Sequence, residues 1–209
     1  MPGPSAYILL AILWIVWCIL HSLLISIGLM ERVRHYPGFS RYYRLFYNFF
    51  AVLSLLPVLG YSYALRGPPL VAWKGAWLAV PVVLGAAALL LFMAGGRRYD
   101  FFQFIGLRQM RSENGCSVLT EDCSLDTGGV LSLVRHPWYA GGLLVVWVRP
   151  LDMAAIVTNL VLCGYFVVGA LLEERKLMAM FGAQYTAYRK RVSMFFPFKW
   201  AVRFLSGEK

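Results

Sequence analysis

Two short polar motifs, each set between apolar stretches, hold the residues of this chain best suited to chemistry. The first is Arg135-His136-Pro137-Trp138-Tyr139-Ala140-Gly141-Gly142. The second is Glu173-Glu174-Arg175-Lys176, followed by Leu177, Phe181, Gly182, Tyr185, Tyr188 and, further on, Pro197. Charged groups at membrane depth are costly and by default mark a pathway, an ion or a reaction site. Proline disfavours helical geometry in the residue before it and suits a first helical turn, so Pro137 is expected to open a helix with His136 at its cap. A helix start suits an anion, and Arg135 adds a bidentate binder of carboxylate or phosphate. Gly141 and Gly142, about one turn on, let a ligand or a neighbouring helix come close to the backbone. The competing reading is an interfacial Arg and His that only snorkel toward the headgroups.

Glu173 and Glu174 point about 100° apart on a helix, so at most one faces inward. The inward one could accept hydrogen bonds from a ribose, hold Arg135 or take a proton. Alternatively, both are solvated and pair with Arg175 and Lys176. Leu177, Phe181, Tyr185 and Tyr188 follow at i, i+4, i+8 and i+11, one helical face, with Gln184 and Lys190 opposite. An amphipathic helix at the membrane surface accounts for that spacing. An aromatic stripe of this kind serves packing more often than a cofactor.

The elements that must position these motifs are membrane spans. The chain has 209 residues, is 60% hydrophobic and only 14% charged, and has a mean hydropathy of +0.64. A soluble domain of this size is less apolar and more charged. Runs of roughly 20 apolar residues cross a bilayer as helices, and five are expected, at about 6–28, 45–65, 76–94, 130–148 and 152–172. The first lacks a basic leader and is long for a signal sequence, so it is taken as a retained span. The fourth is cleanly apolar only from Trp138 to Val148. The turn Arg149-Pro150-Leu151-Asp152 then makes spans four and five a helical hairpin.

Of the 20 Lys and Arg, 17 fall in 29–44, 95–135 and the tail after 172, leaving Arg66, Lys74 and Arg149 on the other side. The positive-inside rule then puts the C-terminus in the cytoplasm and the N-terminus outside, as an odd span count requires. The net charge of +10 fits attraction to anionic headgroups and calls for no nucleic acid. The expected fold is an all-α integral membrane protein forming a single membrane domain over 1–209. It comprises a three-span half (1–94), a cytoplasmic loop (95–134) and a C-terminal half (135–209) with a cytoplasmic amphipathic helix.

Several chemistries are set aside. The chain has no Walker loop, no Gly-x-Gly-x-x-Gly turn after a strand and no His-Glu-x-x-His helix. His21, His35 and His136 are too dispersed for a multi-histidine metal site, and no metal is expected. Cys116 and Cys123 lie in a polar loop without a nearby histidine, too few ligands for zinc. Cys18 and Cys163 sit in apolar runs, where Cys acts as a small hydrophobe. His21, followed by Ser22 inside the first span, suits a hydrogen-bonded helix contact, or it lines a cavity.

Taken together, the two motifs, the hairpin and the late Pro197 resemble the C-terminal half of the isoprenylcysteine carboxyl methyltransferase family; phospholipid N-methyltransferases have a similar half. The likeness covers about residues 128–198. A second likeness lies in His21-Ser22-Leu23-Leu24, Tyr43-Arg44-Leu45-x-Tyr47-Asn48, Tyr99-Asp100 and Phe104-x-Gly106-Leu107-x-Gln109. These look like the bacterial branch that contains methanethiol S-methyltransferase.

The resemblance implies methyl transfer from S-adenosylmethionine bound by the C-terminal half in a cytoplasm-facing pocket, in a bacterial inner membrane. Arg135 and the start at His136-Pro137 are candidates for the cofactor carboxylate. Glu173 or Glu174 are candidates for its ribose and amine. Tyr139, Phe181, Tyr185 and Tyr188 are candidates for an adenine wall, and Gly141 and Gly142 for close approach. His136, or else Glu174, is the candidate base for a thiol acceptor; Arg135 could align a carboxylate acceptor, which needs no base. His21, Tyr43, Arg44, Asn48, Asp100 and Gln109 are candidates for the acceptor side. A small thiol is the first expectation for the acceptor, ahead of a prenylcysteine carboxylate or a phospholipid amine. The rival classes are a sterol-type membrane reductase, whose chains are much longer, and a non-enzymatic assembly factor.

Overall fold

In hydrocarbon every backbone N–H and C=O must find a partner within its own segment, which leaves an apolar chain of this kind few options besides helices. The computed structural model describes residues 2–98 and 124–207. Tyr99, Asp100, Gln109, Cys116 and Cys123 lie outside the described residues, as does most of the expected 95–134 loop.

Helices α1 (Pro4–Leu24), α2 (Ile27–Arg34), α3 (Pro37–Ala64), α4 (Ala79–Gly96), α5 (Pro137–Val145), α6 (Met153–Arg191) and α7 (Phe198–Ser206) follow in order. A 3-10 turn over Gly75–Leu78 leads into α4, and another spans Gly129–Ser132. Proline opens α1, α3 and α5, where its missing N–H costs nothing. Among the described residues the only strand-like pairings are two isolated bridges, Val71 with Leu151 and Val134 with Ser193.

Among the described residues four helices are long and apolar enough to cross a membrane: Pro4–Leu24, Tyr42–Ala64, Gly75–Gly96 and Met153–Arg191. They fall on the expected spans one, two, three and five. The segment 130–148 differs. Its helix, α5, has nine residues, about 13 Å at 1.5 Å per residue, against a hydrocarbon core of about 30 Å. Proline at 137 excludes the preceding residues from the helix. The last span differs too. It does not stop near 172 but runs through Glu173 and Glu174 as one 39-residue helix interrupted at Gly182, where φ is 48° and ψ is −120°.

The chain forms two compact units. The described part of the first comprises 2–73 and 149–165. Its core joins Leu10, Trp14, Val58, Leu65 and Ala154. Polar side chains fasten α1 to α3: the Trp14 indole donates to Ser62 Oγ at 3.1 Å, and that of Trp17 donates to Ser54 Oγ at 3.2 Å. Small and polar residues are the usual glue between helices in lipid, where hydrophobicity gives no preference for protein over tail. At its far end Leu70 and Val71 pair with Leu151, and Arg149 donates to Asn159 Oδ1 at 3.1 Å.

The described part of the second unit comprises 74–98, 124–148 and 166–207. There α5 lies antiparallel on α4. A Cβ on Gly95 would meet Trp138 at 2.5 Å, and one on Gly85 would meet Val148 at 3.8 Å. The motif glycines make this contact possible. A Cβ on Gly141 would stand 3.0 Å from Phe92, and one on Gly142 would stand 2.9 Å from Phe166. A second core forms around Tyr185, Tyr188 and Val192, with Leu125, Leu177, Met178 and Phe181 packed on it. The aromatic stripe expected on one face of a membrane-surface helix is instead split by Gly182, and its residues meet in this core across the break.

Candidate active site

The site lies wholly within the second unit and begins with Gly182. Glu174 and Arg189 are 15 residues apart, which on a straight helix is about 22 Å. Yet Arg189 Nε stands 2.9 Å from Glu174 Oε2. The left-handed φ at Gly182, which side chains other than glycine rarely adopt, breaks α6 and folds its end back along itself. Thr186 Oγ1 donates to the Gly182 carbonyl at 3.0 Å, and the Tyr188 hydroxyl donates to that of Leu131 at 2.6 Å. The returning limb then meets the stretch before α5. Arg135 N donates to the Ser193 carbonyl at 2.9 Å and His136 N to that of Met194 at 3.1 Å. These two bonds place Arg135 and His136 directly against the carboxylates of α6.

Glu174 is the inward carboxylate, 1% exposed. Its Oε1 accepts from Arg135 Nε at 2.8 Å, with Arg135 Nη2 at 2.6 Å. Arg135 Nη1 donates to the backbone carbonyls of Arg189, at 3.1 Å, and Val192. The guanidinium is thus engaged on both edges and is itself buried. A lone buried charge is costly, so each of this pair requires the other. Arg135 was the candidate for a ligand carboxylate; in the structure its carboxylate partner is Glu174.

His136 caps α5, which starts at Pro137 as the sequence indicates. Its ring is buried between the two carboxylates, with Nε2 3.5 Å from Glu174 Oε1 and Nδ1 3.7 Å from Glu173 Oε2. Glu173 is half-buried. Tyr139 and Phe195 lie edge-on and tilted to the His136 ring. Among the described residues four buried side-chain atoms lack a hydrogen-bond partner of proper geometry: Thr158 Oγ1 in the first unit, and His136 Nε2, Glu174 Oε2 and the Tyr185 hydroxyl here, although Oε2 keeps its ion pair with Arg189. Buried polar atoms without hydrogen bonds are uncommon and call for an explanation. Three of them in one site fit a polar ligand.

The other candidates divide. Gly141 and Gly142 sit under Phe92 and Phe166, and Tyr139 packs over Gly169, so all three shape helix contacts. Phe181 and Tyr188 belong to the core beneath the site. In the first unit, His21 has both ring nitrogens at tyrosine hydroxyls: Nε2 2.5 Å from Tyr47 and Nδ1 2.6 Å from Tyr165. Tyr43 donates to the Leu24 carbonyl at 2.5 Å, while Arg44 and Asn48 are half-buried on α3.

Arg189 and Tyr165 were not among the residues singled out from sequence. Arg189 reads as one cation in a basic tail, and only the glycine at 182 hinted at a reversal. Tyr165 sits in an unbroken apolar run that gives no periodic signal.

This chain is 30% identical over 190 residues to methanethiol S-methyltransferase 2 of Bradyrhizobium diazoefficiens, covering 86% of this chain and 73% of that protein. The chain belongs to the methanethiol S-methyltransferase family. A second protein of that organism, methanethiol S-methyltransferase 1, is 32% identical over 164 residues, 75% of this chain and 55% of its own length. Methanethiol S-methyltransferase of Crocosphaera subtropica is 42% identical over 66 residues, 31% of this chain and 26% of its own. No protein-family model and no solved structure matches the chain. As a membrane methyltransferase of this family, the protein needs a methyl donor and an acceptor for the methyl group.

Proposed function

We propose that the protein transfers a methyl group from S-adenosylmethionine to a small thiol, with the Arg135, His136 and Glu174 site as its centre. The observation that carries this reading is the set of buried atoms on His136, Glu174 and Tyr185 that lack a well-formed hydrogen bond, in a member of this family. When bound, S-adenosylmethionine supplies a methyl carbon already activated by the neighbouring sulfonium. The chain does the rest by alignment and exclusion of water.

Glu173 and Glu174 offer acceptors to an amine or ribose hydroxyl. Pro137, Tyr139, Gly141, Gly142, Phe181, Tyr185 and Tyr188 are assigned to the packed surroundings of the cofactor. Arg135 acts as a positioning residue: it neutralises Glu174 and ties it to the 189–192 backbone. A thiol reacts as thiolate, and His136 Nε2 is the base that takes its proton. Glu174 is the weaker candidate, because its charge is already held by two guanidinium groups. For the acceptor, the family likeness alone nominates His21, Tyr43, Arg44, Asn48, Asp100 and Gln109.

In the membrane, the short α5 with residues 146–151 makes the fourth of five crossings. Its antiparallel run along α4 from Gly95 to Gly85 supports this. With 17 of 20 basic residues on one side, the C-terminus is cytoplasmic and the N-terminus outside, in a bacterial inner membrane.

Calorimetric titration of S-adenosylmethionine into detergent-purified protein, followed by turnover with methanethiol and longer thiols, tests the proposal. Wild type should bind at micromolar concentration and form the methyl thioether. His136→Gln should keep its thermal midpoint but lose transfer. Well-folded wild type that binds no S-adenosylmethionine, or methylates none of these thiols, would overturn the reading.

A further inference from the structure

Helix α7 is built inside out. Its apolar residues Phe198, Val202 and Leu205 stand at i, i+4 and i+7 and are 70%, 65% and 84% exposed. Phe204 is 72% exposed, and the Trp200 ring stacks on it at 5.3 Å. On its polar side Lys199 ties the helix to the preceding limb while staying exposed. Lys199 Nζ donates to the carbonyls of Arg189 and Lys190 at 3.0 and 3.1 Å, and Lys199 N donates to Ser193 Oγ at 3.0 Å. A helix of a water-soluble protein buries its apolar stripe; this one holds itself by its polar side and offers the stripe outward.

We propose that α7 is an in-plane anchor that docks on an anionic phospholipid surface. Three observations select that occupant. The chain carries helices long and apolar enough to cross a membrane, so the surface is at hand. Residues 166–207 hold seven Lys and Arg (Arg175, Lys176, Arg189, Lys190, Arg191, Lys199 and Arg203) against two carboxylates, both within the site. Cations beside an exposed apolar stripe are the pattern of interfacial helices, which combine apolar insertion with attraction to anionic lipid. A nine-residue helix also offers far less than the roughly 800 Å² per partner of a stable protein interface.

Docking has a consequence for the site. The Arg189 carbonyl that accepts from Lys199 also accepts from Arg135. Lipid contact along α7 therefore steadies the limb that holds the buried ion pair.

Full-length protein is reconstituted in phosphatidylcholine bilayers with and without phosphatidylglycerol, using acyl chains brominated near the headgroup. The emission difference between wild type and Trp200→Phe isolates Trp200. The proposal expects bromine to quench most of that difference when phosphatidylglycerol is present and less without it, with little quenching by aqueous acrylamide. Val202→Glu should reverse the pattern while leaving the thermal midpoint near that of wild type. Full acrylamide quenching with no bromine effect would overturn the proposal. So would bromine quenching indifferent to phosphatidylglycerol, or cross-linking of α7 to a second copy. None of these readouts uses the cofactor, so they stand apart from the methyl-transfer reading.

Discussion

Replacing Glu174 by Gln is the sharpest test of how the site is held. The side chain keeps its shape but loses its charge, and Arg135 is left as a buried cation without a counter-ion. Side-chain exposure is 2% for Glu174 and 6% for Arg135, so water cannot substitute. Breaking such a buried pair from one side costs about 3–5 kcal/mol. Arg189 behaves differently although its distance to Glu174 is as short, because its side chain is 44% exposed; Arg189→Gln should cost no more than about 1 kcal/mol. For a chain of this size each kcal/mol shifts the thermal midpoint by about 2–4 °C. Glu174→Gln should therefore unfold roughly 6–20 °C below wild type, and Arg189→Gln no more than about 4 °C below. Thermal unfolding in one detergent, followed by circular dichroism, reads both. The double variant Arg135→Met/Glu174→Gln carries no orphaned charge and should be no less stable than Glu174→Gln alone. If the single effects simply add, or if Arg189→Gln is the more damaging, the buried-pair argument is refuted.

Three further outcomes are expected. Gly182→Ala meets no neighbour, since a Cβ there has nothing within 4 Å; its cost is purely conformational, about 1–3 kcal/mol. The midpoint should fall accordingly, and an unchanged midpoint would show that the reversal does not depend on the left-handed φ. Gly142→Ala puts a methyl 2.9 Å from Phe166 and should cost about 1–3 kcal/mol by overpacking. Adding Phe166→Leu should recover part of it, and no recovery would remove Phe166 from the explanation. Tyr47→Phe and Tyr165→Phe each take one hydroxyl from His21; hydrogen bonds between helices in lipid average about 0.6 kcal/mol. Each should lower stability only slightly in a denaturant titration, and a loss of several kcal/mol in either would mean that His21 carries more than a helix contact.

Much of the framework was legible locally. Hydropathy over windows of 20 residues located the four long apolar helices, because the cost of exposing backbone in lipid acts within each segment. Pro137 marked the start of α5 because its ring restricts the residue before it. The alternation between Glu173 and Glu174 told that only one could face inward, and helical geometry alone could say no more. The stripe Leu177, Phe181, Tyr185 and Tyr188 is not one helical face, because Gly182 breaks the helix between Phe181 and Tyr185, and amphipathicity does not say whether protein or membrane covers it. Protein does, and the helix with the exposed apolar face is α7 instead.

What the sequence by itself determined is the lipid environment, the helical class and the two motifs that supply the charged residues, since composition and short-range sterics suffice for these. What only the tertiary structure decided is which charges meet. A single left-handed glycine closes about 22 Å of helix into an ion pair of 2.9 Å, and two backbone hydrogen bonds to Ser193 and Met194 carry Arg135 and His136 to it. Contacts of that kind join residues far apart in the chain. Their energy comes from burying charges together, and no local pattern in the sequence records it.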